Sequence, residues 1–167
     1  MPHMMRMSRT LLATLALALP MALHAQLGIE IGATAPDVMV ETLDGKAVSL
    51  ASAYKGRPAV IEFWATWCGN CKALEPRIQA AQRTHGTTVA FIGVAVSMNQ
   101  SVERVKRYTA EHLKGFTHLY DKKGDAVGEF DVPATSYVVV LDKAGKVVYT
   151  GLGGDQDIEA AIRKAVR

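Results

Sequence analysis

The chain has 167 residues, of which 49% are hydrophobic and 21% are charged, so it can form one folded domain but not two full ones. Nineteen basic and 16 acidic residues leave a net charge of +3, which is too small and too scattered to indicate nucleic-acid binding. With only two cysteines, Cys68 and Cys71, the chain cannot form a disulfide-rich scaffold or a four-cysteine metal site.

The first 25 residues have the layout of a secretory signal peptide. Arg6 and Arg9 form a basic start, and the apolar run 11–19 and a small-residue stretch follow. This run is shorter than the ~20 residues that a transmembrane helix needs. We therefore expect residues 1–25 to be cleaved, with an uncleaved membrane anchor as the alternative. The mature domain, 26–167, would carry 17 basic and 16 acidic residues and would be nearly neutral.

Apolar runs and turn signals in the rest of the chain predict alternating strands and helices. The predicted strands are 38–42, 47–50, 59–64, 88–97, 116–120, 137–141 and 146–150. The predicted helices are 68–83, with Pro76 inside it, 100–113, 126–130 and 155–166. The first two and the last two strands are joined by short turns and are typical of hairpins. This order favours an α/β sandwich with a mixed sheet.

The two cysteines lie where a predicted buried strand ends and a helix begins. Cys68 would sit at the helix N-terminus, where free N–H groups and the helix dipole stabilise a thiolate. Cys71 would lie one turn further on, within bonding distance. We therefore predict that Cys68 attacks a partner disulfide and that Cys71 resolves the mixed disulfide. A static disulfide or half of a metal site is the alternative, although His85, His112 and His118 have no recognisable metal spacing.

Residues 63–72, Phe-Trp-Ala-Thr-Trp-Cys-Gly-Asn-Cys-Lys, resemble the thioredoxin active-site segment. The motifs 35–37, 43–45 and 55–58 make the chain similar to the exported TlpA/ResA-like branch, which overlaps with the redoxin superfamily. This similarity extends over 28–166. The resemblance implies a thioredoxin-like sandwich, with a central mixed sheet flanked by helices and an N-terminal β-hairpin extension. It implies neither a cofactor nor a metal.

Two acids flank the cysteine pair. Glu62 lies where thioredoxins carry a buried acid, and the resemblance implies that it accepts or relays the proton of Cys71. A carboxylate in an apolar strand is costly unless it is neutral or paired, which makes Glu62 a candidate acid–base group. An outward-facing acid on an edge strand is the alternative. Glu75 is either a second relay acid or a solvated helix charge, and many relatives place this acid at the position of Leu74 instead.

Two tryptophans and a lysine near the cysteines have different expected roles. Trp67, beside Cys68, is expected to pack around the active site and to shape a groove for the partner. Trp64 is expected in the core. Lys72 is expected to be a surface residue.

The loop before strand 137–141 departs from the thioredoxin pattern, which places a cis-proline opposite the disulfide. Counting from Val132 and from Asp142, the family spacing puts Ser136 at that position and Pro133 in the approach loop. A cis bond before a non-proline residue costs ~3–4 kcal/mol, so we predict a trans peptide at Ser136. The hydroxyls of Thr135 and Ser136 would either hydrogen-bond a thiolate or peroxide near the sulfurs or cap a turn.

The leading functional interpretation is an exported, periplasmic thiol–disulfide oxidoreductase. Gly69 and Asn70 add no positive charge between the cysteines, and the nearby acids disfavour a thiolate, so the pair should act as a reductant. The resemblance implies duties such as reducing apocytochrome c thiols in cytochrome c biogenesis, or maintaining periplasmic cysteines and redox homeostasis. The expected partners are protein thiols or disulfides and a membrane-embedded electron donor, because an oxidising compartment would otherwise trap the disulfide.

Two other functions stay open. A peroxiredoxin-like thiol peroxidase is one, but peroxiredoxins place a threonine three residues before the peroxidatic cysteine, where this chain has Ala65. Thr66 is one position too close to Cys68. A non-enzymatic Cu(I)-binding protein of thioredoxin fold is the other, because two thiolates suit that ion.

Overall fold

The computed structural model describes residues 27–167, so the predicted signal peptide lies outside the described residues. The strands are β1 (Met39–Thr42), β2 (Ala47–Ser49), β3 (Ala59–Trp64), β4 (Ala90–Val96), β5 (Thr117–Asp121), β6 (Tyr137–Leu141) and β7 (Val147–Leu152). The helices are α1 (Gly69–His85), α2 (Val102–His112), α3 (Asp125–Glu129) and α4 (Ile158–Ala165), with a 3-10 turn at Leu50–Ala53. Within the described residues, no helix combines the length and the apolar character that a membrane crossing requires.

The strands form one mixed sheet in the order β2-β1-β5-β4-β3-β6-β7. Strands β3, β4 and β5 are parallel, whereas β6 is antiparallel to β3, and β1 is antiparallel to β5. The hairpins β1–β2 and β6–β7 occupy the two edges. The predicted mixed α/β sandwich, with its N-terminal hairpin, is therefore confirmed, and β3 lies in the interior of the sheet.

Each predicted strand and helix is present, but several ends differ. The helix predicted over 155–166 is shorter, because Asp157 caps α4 by accepting a hydrogen bond from the Ala160 N–H at 2.8 Å. The helix predicted over 100–113 likewise begins only after its capping residue, Ser101. A side chain that satisfies a free N–H group of the first turn fixes the start of a helix more narrowly than apolar periodicity does.

Strand β3 is buried along its whole length, and its side chains alternate between two faces of the sheet. Ala59, Ile61 and Phe63 join a core against α3 and the N-terminal segment. Val60 packs against α1 and α4, and Trp64 contacts the cysteines and α2 on that same face. Since Glu62 lies between Val60 and Trp64 in this alternation, its carboxyl group faces the helix that carries the cysteines.

Candidate active site

Cys68 and Cys71 form a disulfide at the N-terminus of α1. Their Cα atoms are 5.3 Å apart, and both residues are buried in the cluster that includes Trp64. Cys68 is the N-cap residue, and its Sγ accepts a hydrogen bond from the Cys71 N–H at 3.0 Å. An N-terminal helix position of this kind stabilises negative charge on sulfur. The first sulfur is thus placed where a thiolate is stabilised once the pair is reduced.

Gln100 fixes the loop that leads from β3 to the disulfide. Its side-chain carbonyl accepts from the Thr66 N–H at 2.9 Å, and its amide donates to the Val96 carbonyl oxygen. The Tyr120 hydroxyl donates to the main-chain carbonyl oxygen of Gln100 at 3.0 Å. No local pattern indicates this role, because Gln100 stands at the start of a predicted helix and its partners lie on other elements.

Trp67 and Met98 form an exposed apolar surface beside the disulfide. Trp67 is 40% exposed and Met98 is 66% exposed. The indole Nε1 of Trp67 donates to the Met98 carbonyl oxygen at 2.8 Å, which fixes the orientation of the ring. Trp64, in contrast, is core, with its ring 5.5 Å from that of Tyr108, and Lys72 is exposed. The exposure of Trp67 leaves its ring accessible to a partner, and the groove expected there stays a prediction.

Glu62 lies deep in the sheet, with only 6% of its surface exposed. It lies between Gly93 on β4 and Val138 on β6, so the alternative of an outward-facing acid on an edge strand is wrong. Burial, and secondarily the charge of Glu75, raise the pKa of Glu62 to about 8. A carboxyl group with this pKa is mostly protonated at neutral pH. Because neutral pH lies only about one unit below this pKa, the group can both bind and release a proton there.

The half-buried carboxylate of Glu75 accepts hydrogen bonds from two side chains. Its Oε1 accepts from the Gln79 amide at 3.0 Å, and its Oε2 accepts from the Tyr108 hydroxyl at 2.9 Å. Burial and this carboxylate together raise the pKa of Tyr108 to about 12, so the phenol stays a donor. Glu75 is therefore neither freely solvated nor isolated from Glu62. Leu74 is fully buried, so the position at which many relatives carry the acid is here part of the core.

Ser136 is buried in a left-handed backbone conformation, with φ of 66°. Residues 27–167 contain no cis peptide bond, which confirms the predicted trans bond before Ser136 and leaves Pro133 trans as well. The Ser136 N–H donates to the Phe63 carbonyl oxygen at 2.9 Å, and its hydroxyl donates to the Gly153 carbonyl oxygen at 3.0 Å. The hydroxyl of Ser136 therefore serves the β7–α4 turn, and Thr135 beside it is half-buried.

The β7–α4 turn joins Ser136 to the helix of the cysteines. The amide of Gln156 donates to the carbonyl oxygens of Ser136 at 3.1 Å and Gly153 at 2.7 Å. A Cβ atom on Gly154 would lie 3.0 Å from the carbonyl oxygen of Asn70, the residue before Cys71. Because Gln156 reaches Ser136 only through the tertiary fold, local sequence patterns could not identify it.

We expect Ser136→Pro to destabilise the oxidised protein by about 2–4 kcal/mol. Proline has a φ near −65° and no N–H, so it fits neither the left-handed backbone nor the bond to Phe63. Ser136→Gly, the matched control, tolerates the positive φ and keeps that N–H, and should stay within about 1 kcal/mol of the parent. Urea unfolding of the three proteins measures this difference. Equal stability of Ser136→Pro would show that the loop has another low-energy conformation.

Within residues 27–167, no group of three or more histidine, cysteine, aspartate or glutamate side chains is arranged to hold a metal ion. The arrangement can support sulfur exchange beside a buried acid. One sulfur lies at a helix N-terminus, a second sulfur is bonded to it, and a buried carboxyl group lies on the adjoining strand.

Comparison with known proteins agrees with this geometry. Residues 30–166 match the redoxin family model. The chain is 31% identical to the thioredoxin-like protein YneN of Bacillus subtilis over 123 residues, which cover 73% of this chain and 71% of YneN. It is 28% identical to the thiol-disulfide oxidoreductase ResA of Bacillus thuringiensis over 120 residues, covering 72% and 68% of the two chains. A crystal structure of a putative thiol:disulfide interchange protein DsbE from Chlorobium tepidum has the same fold, with a TM-score of 0.72, 23% identity and coverage of 82% and 98%.

Proposed function

The chain belongs to the redoxin family, and from this membership we propose that it is an exported reductase of protein disulfides. It is a thiol–disulfide oxidoreductase of thioredoxin fold, with Cys68 and Cys71 as its disulfide-forming pair. The observation that carries the proposal is the position of this pair, with Cys68 as the N-cap of α1 and the buried Glu62 on the adjoining strand.

The proposed reaction moves two electrons from the cysteine pair to a substrate disulfide. The Cys68 thiolate attacks one substrate sulfur, the substrate S–S bond breaks, and the first substrate thiolate leaves and takes up a proton. The ionised form of Glu62 then accepts the proton of Cys71, whose thiolate attacks the Cys68 sulfur. The Cys68–Cys71 disulfide forms, and the second substrate sulfur leaves as a thiolate that takes up a proton from water. A dithiol donor restores the starting form by the reverse exchange, with Glu62 returning the proton to Cys71.

The charges around the pair support the reducing direction. Glu75 accepts two hydrogen bonds one turn after Cys71, and its charge also raises the pKa of Glu62. Negative charge beside a thiolate destabilises it relative to the disulfide, and a pair with a stable disulfide is a reductant. This charge supports the reducing direction against the effect of the helix N-terminus, which favours the thiolate.

Export and partners rest on the first 25 residues and on the family resemblance. A signal peptide would bring the domain to the periplasm, or hold it at the membrane if the signal is not cleaved. There the pair would need a membrane-embedded electron donor to stay reduced. Apocytochrome c, whose thiols must be reduced before haem attachment, is the substrate that we propose first. Other periplasmic proteins with oxidised cysteines are the broader class.

Equilibration with glutathione and dithiothreitol buffers tests the direction. We expect a reduction potential near that of thioredoxin, about −270 mV, read from alkylation of the free thiols after acid quenching. A value near about −120 mV would make the protein an oxidant and would refute the reducing role. Cys71→Ser, which cannot close the intramolecular disulfide, is the control for glutathione adducts.

A further inference from the structure

Three buried polar atoms on one face of the sheet have no hydrogen-bond partner among residues 27–167. They are Oε1 of Glu62, Nε1 of Trp64 and Nδ1 of His118. Buried polar atoms are nearly always paired with protein or with ordered water, so three unpaired atoms in one region need an explanation.

The sheet register brings these atoms to one point. Glu62, Gly93 and His118 are cross-strand neighbours on β3, β4 and β5, and Trp64 follows two positions later on the face of Glu62. A Cβ atom on Gly93 would lie 2.9 Å from Nε1 of Trp64 and 3.1 Å from Nδ1 of His118. Both nitrogens therefore lie over Gly93, and Glu62 is the cross-strand neighbour of this glycine on β3.

The hydrogen-bonding characters of the three atoms complement one another. The indole nitrogen of Trp64 can only donate. Nε2 of His118 lies 2.7 Å from the carbonyl oxygen of Leu113, so it carries the hydrogen, and Nδ1 is an acceptor. Burial lowers the pKa of His118, which keeps the ring neutral. With Oε1 of Glu62 as the second acceptor, the set matches the two hydrogens and one lone pair of a single water molecule.

We propose that Glu62, Trp64 and His118 bind one internal water molecule above Gly93. The glycine is essential to this site, because any side chain at position 93 would approach both nitrogens. The water gives the buried carboxyl group a hydrogen-bond donor that the protein does not supply.

This water also affects proton transfer. That consequence rests on the proposed function, whereas the binding site does not. The titratable groups that face Glu62 are Cys71 and Glu75 from α1, Tyr108 from α2 and His118 from β5. None of them is positively charged. The water is thus the neutral donor that stabilises the carboxylate form of Glu62 when Cys71 loses its proton.

Nuclear magnetic resonance of the protein in water tests the site directly. We expect cross-relaxation between the indole hydrogen of Trp64 and a water molecule that stays bound for longer than the protein tumbles. Trp67 is an internal reference, because its exposed indole bonds to Met98 and should contact only rapidly exchanging surface water. Absence of a long-lived water at Trp64, or a direct Trp64–His118 hydrogen bond, would overturn the proposal.

Gly93→Ala should remove this water signal, because the added methyl group would lie 2.9 Å from Nε1 of Trp64 and 3.1 Å from Nδ1 of His118 and would push the two nitrogens away from the bound water. Loss of the water should also raise the pH at which Glu62 titrates by about 1–2 pH units. A shift of this size corresponds to the free energy of one hydrogen bond to a charged group. Gly128→Ala is the matched control, since a Cβ there meets nothing within 4 Å. A folded Gly93→Ala that keeps the Trp64 water signal would refute the site, and the parent spectrum decides the question if this variant does not fold.

Discussion

Replacing Cys71 with serine should convert the protein into one that holds its substrates as mixed disulfides. Cys68 keeps its position as the N-cap of α1, so its thiolate still attacks a substrate disulfide. Without the Cys71 sulfur the intermediate cannot be resolved within the protein, and steady turnover should fall to background. Non-reducing electrophoresis and mass spectrometry of a model substrate peptide, incubated with the variant, measure the trapped complex.

Cys68→Ser is the matched control and should trap nothing, because Cys71 lies inside the first turn of α1 and lacks the N-cap position of Cys68. Trapping by Cys68→Ser but not by Cys71→Ser would reverse the assigned order of the two cysteines. If neither variant formed a mixed disulfide, the exchange mechanism would be wrong, and the Cu(I)-binding alternative would become the next to test. Peroxide consumption by the parent protein, at a rate equal to its disulfide reduction, would instead favour a peroxidase.

Glu62→Gln should remove a large pH dependence of stability. In the folded protein the pKa of Glu62 is about 8, whereas the value for an unperturbed glutamate is 4.5. The folded state therefore holds a proton that the unfolded state has already lost over this range. The proton held by Glu62 adds most to the free energy of unfolding below pH 4.5. This stabilisation declines as the pH rises to about 8, by up to about 1.4 kcal/mol per pH unit. The neutral glutamine should lack the decline.

Urea unfolding of the parent and of Glu62→Gln between about pH 5 and about pH 9 isolates this effect, since all other groups are shared. Parallel stability curves would show that Glu62 is not held protonated in the folded state. The rate of exchange should respond too. Resolution of the mixed disulfide should speed up as Glu62 loses its proton, and should be about 100-fold slower in Glu62→Gln.

Glu75→Gln provides a companion measurement for the same group. Removing the charge of Glu75 should move the kinetic pH step of Glu62 to lower pH, because that charge is one cause of the raised pKa. The amide can still bond to Tyr108 and Gln79, so the fold should persist. An unchanged step would mean that burial alone sets the titration of Glu62.

Local patterns predicted the parts of the site that depend on neighbours in sequence. The spacing of Cys68 and Cys71 at a strand–helix junction is such a part, and so is the acid within an apolar strand. Tyr108 falls within the predicted helix 100–113, but no local pattern indicates that its hydroxyl bonds to Glu75, 33 residues away. The trans peptide expected before Ser136 is present, but no local pattern indicates the positive φ of this residue. Contacts between distant elements depend on how the elements pack, and one sequence does not contain that information in local form.

The β7–α4 turn also limits where the molecule can be engineered. The Gly154 carbonyl oxygen accepts from the Arg77 guanidinium at 2.7 Å, and Gly154 packs closely against Ala73. An affinity tag, a fluorescent fusion or a truncation placed before α4 would therefore disturb the helix that carries the cysteines. Fusion partners should instead be attached beyond Val166, where the chain has left α4 and the side chain is exposed.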